Sequence, residues 1–249
     1  MNSPPVLELD AVSKRIAHHP ILREVSFRLD AGSFALLLGN NGAGKTTLIQ
    51  ILSGLMRPSA GTLRFRGEPY ARALTALRRA IGVISHESRL YGDLTARENL
   101  HLFGTLYGVD DLTGRTGAAL ERVGLAHVSD MPVRTFSSGM TKRVGIARLL
   151  LYEPSVLLLD EPYSGLDQAS LALFDEYLAD FKAGGGTILM TTHQFTARTA
   201  ICDRVLILQQ GRLVYNRPEE RPSAERCAQL LNQFASGAVL EAEARSSSS

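Results

Sequence analysis

Long runs of apolar residues are missing from this chain of 249 residues. The most apolar stretches, at residues 34–38 and 156–159, are far shorter than the 18 or so residues that a membrane-spanning helix needs. We therefore expect no membrane span in this chain. Short apolar runs bounded by turn residues are typical of strands that are buried on both faces of a parallel sheet.

The chain also has few cysteines and a small net charge. Cys202 and Cys227 are the two cysteines, and neither has the spacing to a further cysteine or histidine that zinc sites show. We expect neither disulfides nor a zinc site, and we expect the protein to be in the reducing cytosol.

The net charge of +2 gives no case for a nucleic-acid partner. Residues 1–10, with Glu8 and Asp10, lack the pattern of a signal peptide, so we expect the protein to stay inside the cell.

The composition itself is that of an ordinary globular protein. Hydrophobic residues make up 45% and charged residues 21%, which excludes wholesale disorder and a coiled coil. The length predicts one large domain, or a core with a smaller subdomain.

The order of apolar patterns predicts an α/β fold whose mainly parallel sheet has an antiparallel β edge and a helical insertion. Residues 86–151 read mostly helical, and Thr95 and Glu98 form a capping-box pattern within them. The predicted strands are 6–10, 24–30, 34–38, 63–66, 81–85, 156–160, 187–191 and 204–208, and the predicted helices outside the insertion are 45–55 and 168–182. The predicted domains are a discontinuous core of 1–85 and 152–215, a helical subdomain of 86–151, and a C-terminal extension of 216–249 with a disordered serine-rich end.

A glycine-rich motif follows the first buried strand and opens a helix. It matches the pattern GxxxxGK[ST], in which glycines turn backbone amides toward a phosphate and the helix start adds its dipole. Its residues, with the next threonine, are Gly39, Asn40, Asn41, Gly42, Ala43, Gly44, Lys45, Thr46 and Thr47. Lys45 is expected to reach the β- and γ-phosphates of a nucleotide, and Thr46 to ligate Mg²⁺. The alternative is a plain glycine turn between strand and helix.

Two acidic residues end a second buried strand. Asp160 and Glu161 follow residues 156–159, and the carboxyl ends of parallel strands face the crevice where such sheets bind ligands. Asp160 is the expected Mg²⁺ partner, and Glu161 the candidate base for a water that attacks the γ-phosphate. Acidic strand ends are common, so the signal depends on the phosphate loop that precedes it.

With these motifs, residues 5–215 resemble the ATP-binding cassette (ABC) family of ATPases. Residues 136–140, Phe-Ser-Ser-Gly-Met, lie at the place of the family's LSGGQ signature, residues 164–167 look like its D-loop, and residues 191–193 contain its switch histidine. The resemblance implies a P-loop NTPase core of the ABC ATPase fold. It also implies ATP and Mg²⁺ as cofactors and His193 as a contact of the γ-phosphate, although an ordinary loop histidine is the alternative.

The resemblance further implies that two nucleotide-binding chains work together. In the family, each ATP lies between the phosphate loop of one subunit and the signature of the other, so Ser137, Gly139 and Asp167 are expected to act on a neighbour's nucleotide. The signature precedes a helical pattern, which makes its amides a second candidate anion site. An ordinary helix N-cap is the alternative for Ser137.

Three positions depart from the family's pattern. His86 stands where most members have a glutamine near Mg²⁺ and the water, which predicts an ATPase whose rate depends on pH between about 5.5 and 7.5, and we expect His86→Gln to change that pH profile. Ser138 replaces a signature glycine and Met140 its glutamine, and we expect Ser138→Gly to raise basal turnover. Ile16 is aligned with the aromatic residue that stacks on adenine, so we expect weak discrimination between ATP and GTP.

The same departures suggest a branch of the family. His86, the Ser-Ser-Gly-Met signature and the sequence of residues 160–167 look like the ATP-binding subunit of the cytochrome c maturation, or haem exporter, system. Cassettes of drug, lipid or polysaccharide exporters are the alternative, and a soluble non-transport ABC ATPase is a further one. The expected partners are a membrane permease that contacts residues 88–100 and a second nucleotide-binding subunit, identical or different, on the cytoplasmic side of the inner membrane.

Overall fold

The protein is described from a computed structural model, which covers residues 4–85, 89–192, 201–219 and 222–235. Within these residues, ten strands form two sheets and seven α-helices cover them. The elements in chain order are β1 (Leu7–Ile16), β2 (His19–Leu29), β3 (Phe34–Leu38), α1 (Lys45–Leu52), β4 (Ala60–Phe65), β5 (Glu68–Pro69), α2 (Tyr70–Ala80), β6 (Ile81–Ile84), α3 (Ala96–Tyr107), α4 (Leu112–Arg122), α5 (Ser138–Tyr152), β7 (Val156–Asp160), α6 (Gln168–Ala183), β8 (Thr187–Thr191), β9 (Arg204–Gln209), β10 (Arg212–Pro218) and α7 (Ala224–Ala235).

The larger sheet is the centre of the fold. Its order is β10-β9-β3-β8-β7-β6, with parallel pairing throughout except for the antiparallel hairpin of β9 and β10. Every residue of β3, β7 and β8 is buried. Phe34, Leu36 and Leu38 face one hydrophobic core, while Ala35 and Leu37 face the other, as the two-residue period of a strand requires. Cores on both faces explain why these strands read as unbroken apolar runs.

The smaller sheet is antiparallel and has the order β2-β1-β4-β5. Buried residues such as Val25, Phe27 and Leu29 alternate with exposed ones along β2. This is the predicted antiparallel edge, and its buried face packs on the same core as α1 and α2.

The residues between β6 and β7 are mostly helical, as predicted. α3, α4 and α5 pack on one another. The capping box is present: the Glu98 amide donates to Thr95 Oγ1 at 3.1 Å, and the Thr95 amide donates to Glu98 Oε2 at 2.8 Å. The boundaries of the predicted domains stay a prediction.

Some element bounds differ from the prediction. α1 ends at Leu52 rather than at residue 55, because Ser53 and Gly54 close the helix with their backbone amides. α2, β5, β10 and α7 have no counterpart among the predicted elements. No helix in the described part of the chain combines the length and the apolar character that crossing a membrane demands.

Candidate active site

The phosphate loop connects β3 to α1, as predicted. Gly39 and Gly44 have φ angles of +150° and +104°, which L-residues with a side chain rarely adopt. A Cβ on Gly39 would also collide with the carbonyl oxygen of Leu208, and one on Gly44 would lie 2.8 Å from Leu22 Cδ2. Both glycines are therefore required by this loop. Gly44 caps α1 without a side chain, and no acidic residue lies in the first helical turn, so the amides at the helix start suit an anion.

Lys45 points back into its own loop. Its Nζ donates to the carbonyl oxygens of Gly39 at 2.7 Å and Asn40 at 3.2 Å, and the residue is only 8% exposed. Burial lowers the pKa of Lys45, and the nearby carboxylates of Glu161 and Asp160 oppose that shift. A phosphate in the loop would replace two neutral carbonyl partners with charged oxygens, which form stronger hydrogen bonds with an ammonium group.

Asp160 and Glu161 lie at the carboxyl end of β7, beside β8. Asp160 pairs with Thr191 across the two strands, and Thr191 Oγ1 donates to Asp160 Oδ1 at 2.7 Å. The backbone amide of Glu161 donates to Thr191 Oγ1 at 3.0 Å and to its carbonyl oxygen at 3.1 Å. Glu161 has a φ of +49°, so the chain turns sharply after the strand. Thr191 thus holds both acidic residues at the end of the sheet.

The two motifs meet in one cavity of about 390 Å³. Its lining residues are Ile21, Asn41, Gly42, Ala43, Gly44, Lys45, Thr46, Thr47, Asp160 and Glu161. Gly39 and Asn40 do not line this cavity, but their carbonyl oxygens accept hydrogen bonds from Lys45 Nζ. The hydroxyl of Thr46 and the carboxylate of Asp160 are the hard oxygen donors that Mg²⁺ prefers. Within the described residues, no group of three or more His, Cys, Asp or Glu side chains forms a metal site.

The signature and the D-loop do not line that cavity, but they contact each other. Ser137 is the N-cap of α5 and accepts a hydrogen bond from the Met140 amide at 3.2 Å, and its expected role at a neighbour's nucleotide stays a prediction. Ser138 Oγ donates to the Gly165 carbonyl oxygen at 3.2 Å. A Cβ on Gly139 would lie 3.0 Å from a carboxylate oxygen of Asp167, so the two loops pack closely.

Two basic residues on α5 strengthen this contact. The guanidinium of Arg143 donates to Ser170 Oγ at 2.7 Å and to Asp167 Oδ2 at 3.0 Å. Lys142 Nζ donates to the carbonyl oxygens of Pro162, at 3.3 Å, and Ser164. Hydrogen bonds from Ser170 and the Arg143 guanidinium lower the pKa of Asp167. The signature helix is therefore fastened to the loop that follows Glu161.

His86 and His193 lie outside the described residues, so their proposed roles stay predictions. Ile16 is 45% exposed at the end of β1 and does not line the cavity, whereas Ile21 does.

Some residues that hold the site together do not stand out in the sequence. Thr191 lies two positions before His193, and the signal that points to its contact with Asp160 is its place on a strand predicted to lie in the same sheet. Lys142 and Arg143 are charged residues next to the signature, and no sequence signal shows that they reach the D-loop.

Comparisons with known proteins agree with this geometry. The family model described as "ABC transporter" matches residues 22–164. The chain is 36% identical over 223 residues to the Nod factor export ATP-binding protein I of Ralstonia nicotianae, covering 88% of this chain and 70% of that protein. It is 35% identical over 221 residues to the daunorubicin resistance ATP-binding protein DrrA3 of Streptomyces coeruleorubidus, with the same coverage.

Two solved structures have the same fold. One is described as an ATP-binding subunit of an ABC transporter; it is 29% identical, has a TM-score of 0.82, and the match covers 91% of this chain and 99% of that one. The other is cbiO1 of Clostridium perfringens, part of the ABC transporter complex cbiONQ, at 28% identity and a TM-score of 0.70 over 86% of this chain and 89% of that one. The chain therefore belongs to the ABC transporter family, as an ATP-binding subunit that hydrolyses ATP.

Proposed function

We propose that this chain hydrolyses MgATP to power export through a separate membrane permease. The observation that carries the proposal is the cavity in which the phosphate loop faces Asp160 and Glu161. Lys45 and the loop amides bind the β- and γ-phosphates, and Thr46 and Asp160 hold Mg²⁺. The metal supplies positive charge where the transferred phosphoryl group gains negative charge. Glu161 accepts the proton of the attacking water.

A second nucleotide-binding chain completes the site in this proposal. The signature residues Ser137 and Gly139, with Asp167, are absent from the lining of the phosphate-loop cavity, so one chain presents two incomplete halves. Two chains that face each other would bring each signature helix start to the other's nucleotide. The helix start of α5 has no acidic residue in its first turn, which suits an anion. The partner is an identical or a related chain.

We place the chain on the cytoplasmic face of the membrane, bound to the permease. The solved relative cbiO1 is part of a transporter complex, which supports an assembly of this kind. The expected contact with the permease is at residues 88–100. The structure offers a surface of which Arg89 is one part: a groove between α2, α3 and α5 that encloses about 560 Å³.

Export is the direction that the named relatives support. Both the Nod factor protein and the daunorubicin resistance protein bear names of export or resistance. The haem and cytochrome c branch stays a prediction that depends on His86 and the signature sequence, and export of a drug, lipid or polysaccharide is the alternative.

Hydrolysis by the purified chain, alone and with its co-purified permease, tests the proposal. We expect Mg²⁺-dependent release of phosphate that the permease stimulates, and a loss of about 10²–10³-fold in the rate for Lys45→Ala. A rate that is unchanged in Lys45→Ala would show that the phosphate loop is not the site. Hydrolysis that no membrane protein stimulates would favour a soluble ATPase.

A further inference from the structure

α7 has one apolar face, which the spacing of its side chains creates. Cys227, Leu230, Leu231 and Phe234 follow the pattern i, i+3, i+4 and i+7, so the helix places them on one stripe. Cys227 and Leu230 are each 1% exposed and belong to the core on one face of the larger sheet, while Leu231 and Phe234 are partly buried and pack against that core. The apolar face of α7 therefore packs on the sheet at β9.

The last turn of α7 reaches the phosphate loop from a side that the nucleotide cavity does not include. Leu231 and Phe234 line a separate cavity of about 10 Å³. Its other walls are Gly39 and Asn40 of the phosphate loop and residues 207–209 at the end of β9. A space of this volume holds about one water molecule and is too small for a further side chain. The helix and the loop are therefore direct neighbours.

The loop residues at this contact are the ones that hold Lys45. The carbonyl oxygens of Gly39 and Asn40 accept from Lys45 Nζ at 2.7 Å and 3.2 Å. The Asn40 carbonyl oxygen also accepts from the Ala43 amide at 3.1 Å, so its position affects the turn of the loop as well. A displacement of the loop at these two residues would move the ammonium group of Lys45 with it.

α7 is itself fastened near both of its ends. Near its start, the Arg226 guanidinium donates to Glu219 Oε1 at 3.0 Å, and the Tyr215 hydroxyl donates to the same carboxylate. Near its end, the centroid of the Phe234 ring lies 5.2 Å from that of the Tyr215 ring, with 56° between the ring planes. Tyr215 belongs to β10, which pairs with β9. The helix is thus bound to the sheet, as an element that supports a loop needs to be.

We propose that Phe234 is a positioning residue for Lys45. Its ring supports the loop at Gly39 and Asn40, so that their carbonyl oxygens orient the ammonium group toward the phosphates of a nucleotide. Without the ring, the loop gains space to move, and a group displaced by a fraction of an ångström binds its target less well. The inference rests on the proposed function, since it assumes that the nucleotide phosphates lie in this loop.

Equilibrium binding of ADP to the full chain tests the proposal. Phe234→Ala removes the ring, and we expect the Kd for ADP to rise about three- to tenfold, as for other substitutions that act on a site through intervening residues. Phe234→Leu keeps an apolar side chain against the loop and should recover most of the affinity. An alanine variant with the parent's Kd would overturn the proposal, as would a leucine variant that binds as weakly as the alanine variant.

Phe181→Ala is the matched control for lost stability. Phe181 is also a partly buried phenylalanine that packs against the same core, near the end of α6. α6 ends just before β8 begins, at the amino edge of the larger sheet, whereas the phosphate loop follows the carboxyl end of β3. We expect this variant to lower thermal stability and to keep the parent's Kd for ADP. Equal weakening in Phe181→Ala and Phe234→Ala would show that the ring acts only through stability.

A double-mutant cycle shows whether the ring acts through the lysine. In a Lys45→Ala chain the loop carbonyls have no ammonium group to orient, so the further change Phe234→Ala should cost no additional affinity for ADP. Additive losses would contradict the proposal. The same measurements separate the two proposals: a Lys45→Ala chain that binds ADP like the parent refutes the proposed function and the inference with it, whereas weakened binding in Lys45→Ala beside unchanged binding in Phe234→Ala refutes the inference alone.

Discussion

The two halves of the candidate nucleotide site are built in different ways. The phosphate-loop half lies at the carboxyl edge of the larger sheet, and its charged residues Lys45 and Asp160 are 8% and 5% exposed. The signature half lies at the start of α5, where Ser137 and Ser138 are exposed. In the first half the sheet itself fixes the residues, whereas in the second half side chains fasten one loop to another.

This difference indicates that the phosphate-loop half carries out the reaction, whereas the signature half couples the two chains. Strand pairing places Asp160 opposite Thr191 whether or not another chain is present. The signature half contacts the loop between Glu161 and Asp167 of its own chain, to which Lys142 and Arg143 bind. Substitutions in the first half should therefore change the reaction strongly, and substitutions in the second should adjust how two chains act together.

Glu161→Gln gives the largest expected effect in this comparison. The amide keeps the shape of the side chain but cannot accept the water's proton, so hydrolysis should fall by about 10²–10⁴-fold while ATP binding persists. A chain that binds ATP without hydrolysing it should accumulate as an ATP-bound dimer, which sedimentation measures. Glu176→Gln, the same change on the exposed face of α6, is the control. A Glu161→Gln variant that stays monomeric with ATP would contradict the two-chain site.

Thr191→Val gives an intermediate effect within the first half. The change keeps the shape of the side chain but removes the hydroxyl that donates to Asp160 and accepts from the Glu161 amide. Residues that orient a metal ligand are typically worth about 10–100-fold in metal affinity, so the Mg²⁺ concentration for half-maximal hydrolysis should rise by about tenfold or more, and Thr191→Ser should restore it.

The control for that change lies on the same strand. Thr187 is buried at the other end of β8, where its hydroxyl accepts from the Gly32 amide at 3.0 Å. Thr187→Val should lower thermal stability without changing the Mg²⁺ requirement. If both valine variants shift the Mg²⁺ requirement equally, Thr191 acts on stability alone.

The strands and the phosphate loop of the first half were predictable from sequence, whereas the contacts of Thr191 and the bonds between the signature helix and the D-loop were not. The bounds of β3, β7 and β8 match the prediction because their apolar runs are buried on both faces. The phosphate loop followed from its glycines and lysine. The bonds from Lys142 to Ser164 and from Arg143 to Asp167 join residues 22 and 24 positions apart, and the packing of α5 on α6 brings them together. α7 has no counterpart among the predicted elements, although its sequence offers a start signal: Ser223 accepts a hydrogen bond from the Arg226 amide at 3.1 Å, and Glu225 lies in the first turn.

Substitutions of Ser138, in the signature half, have the smallest expected effect. It starts α5 and is not among the residues with positive φ, so its Cβ brings no backbone strain, and the constraint comes from the hydroxyl bond to the Gly165 carbonyl oxygen. An exposed hydrogen bond of this length is worth at most about 1 kcal/mol, or about fivefold. We expect Ser138→Ala and Ser138→Gly to raise basal turnover about two- to fivefold by freeing the signature from the D-loop, and Ser138→Thr to keep the parent rate. An increase in glycine alone would assign the effect to the Cβ atom, and no change in either variant would show that the signature and the D-loop move together without this bond.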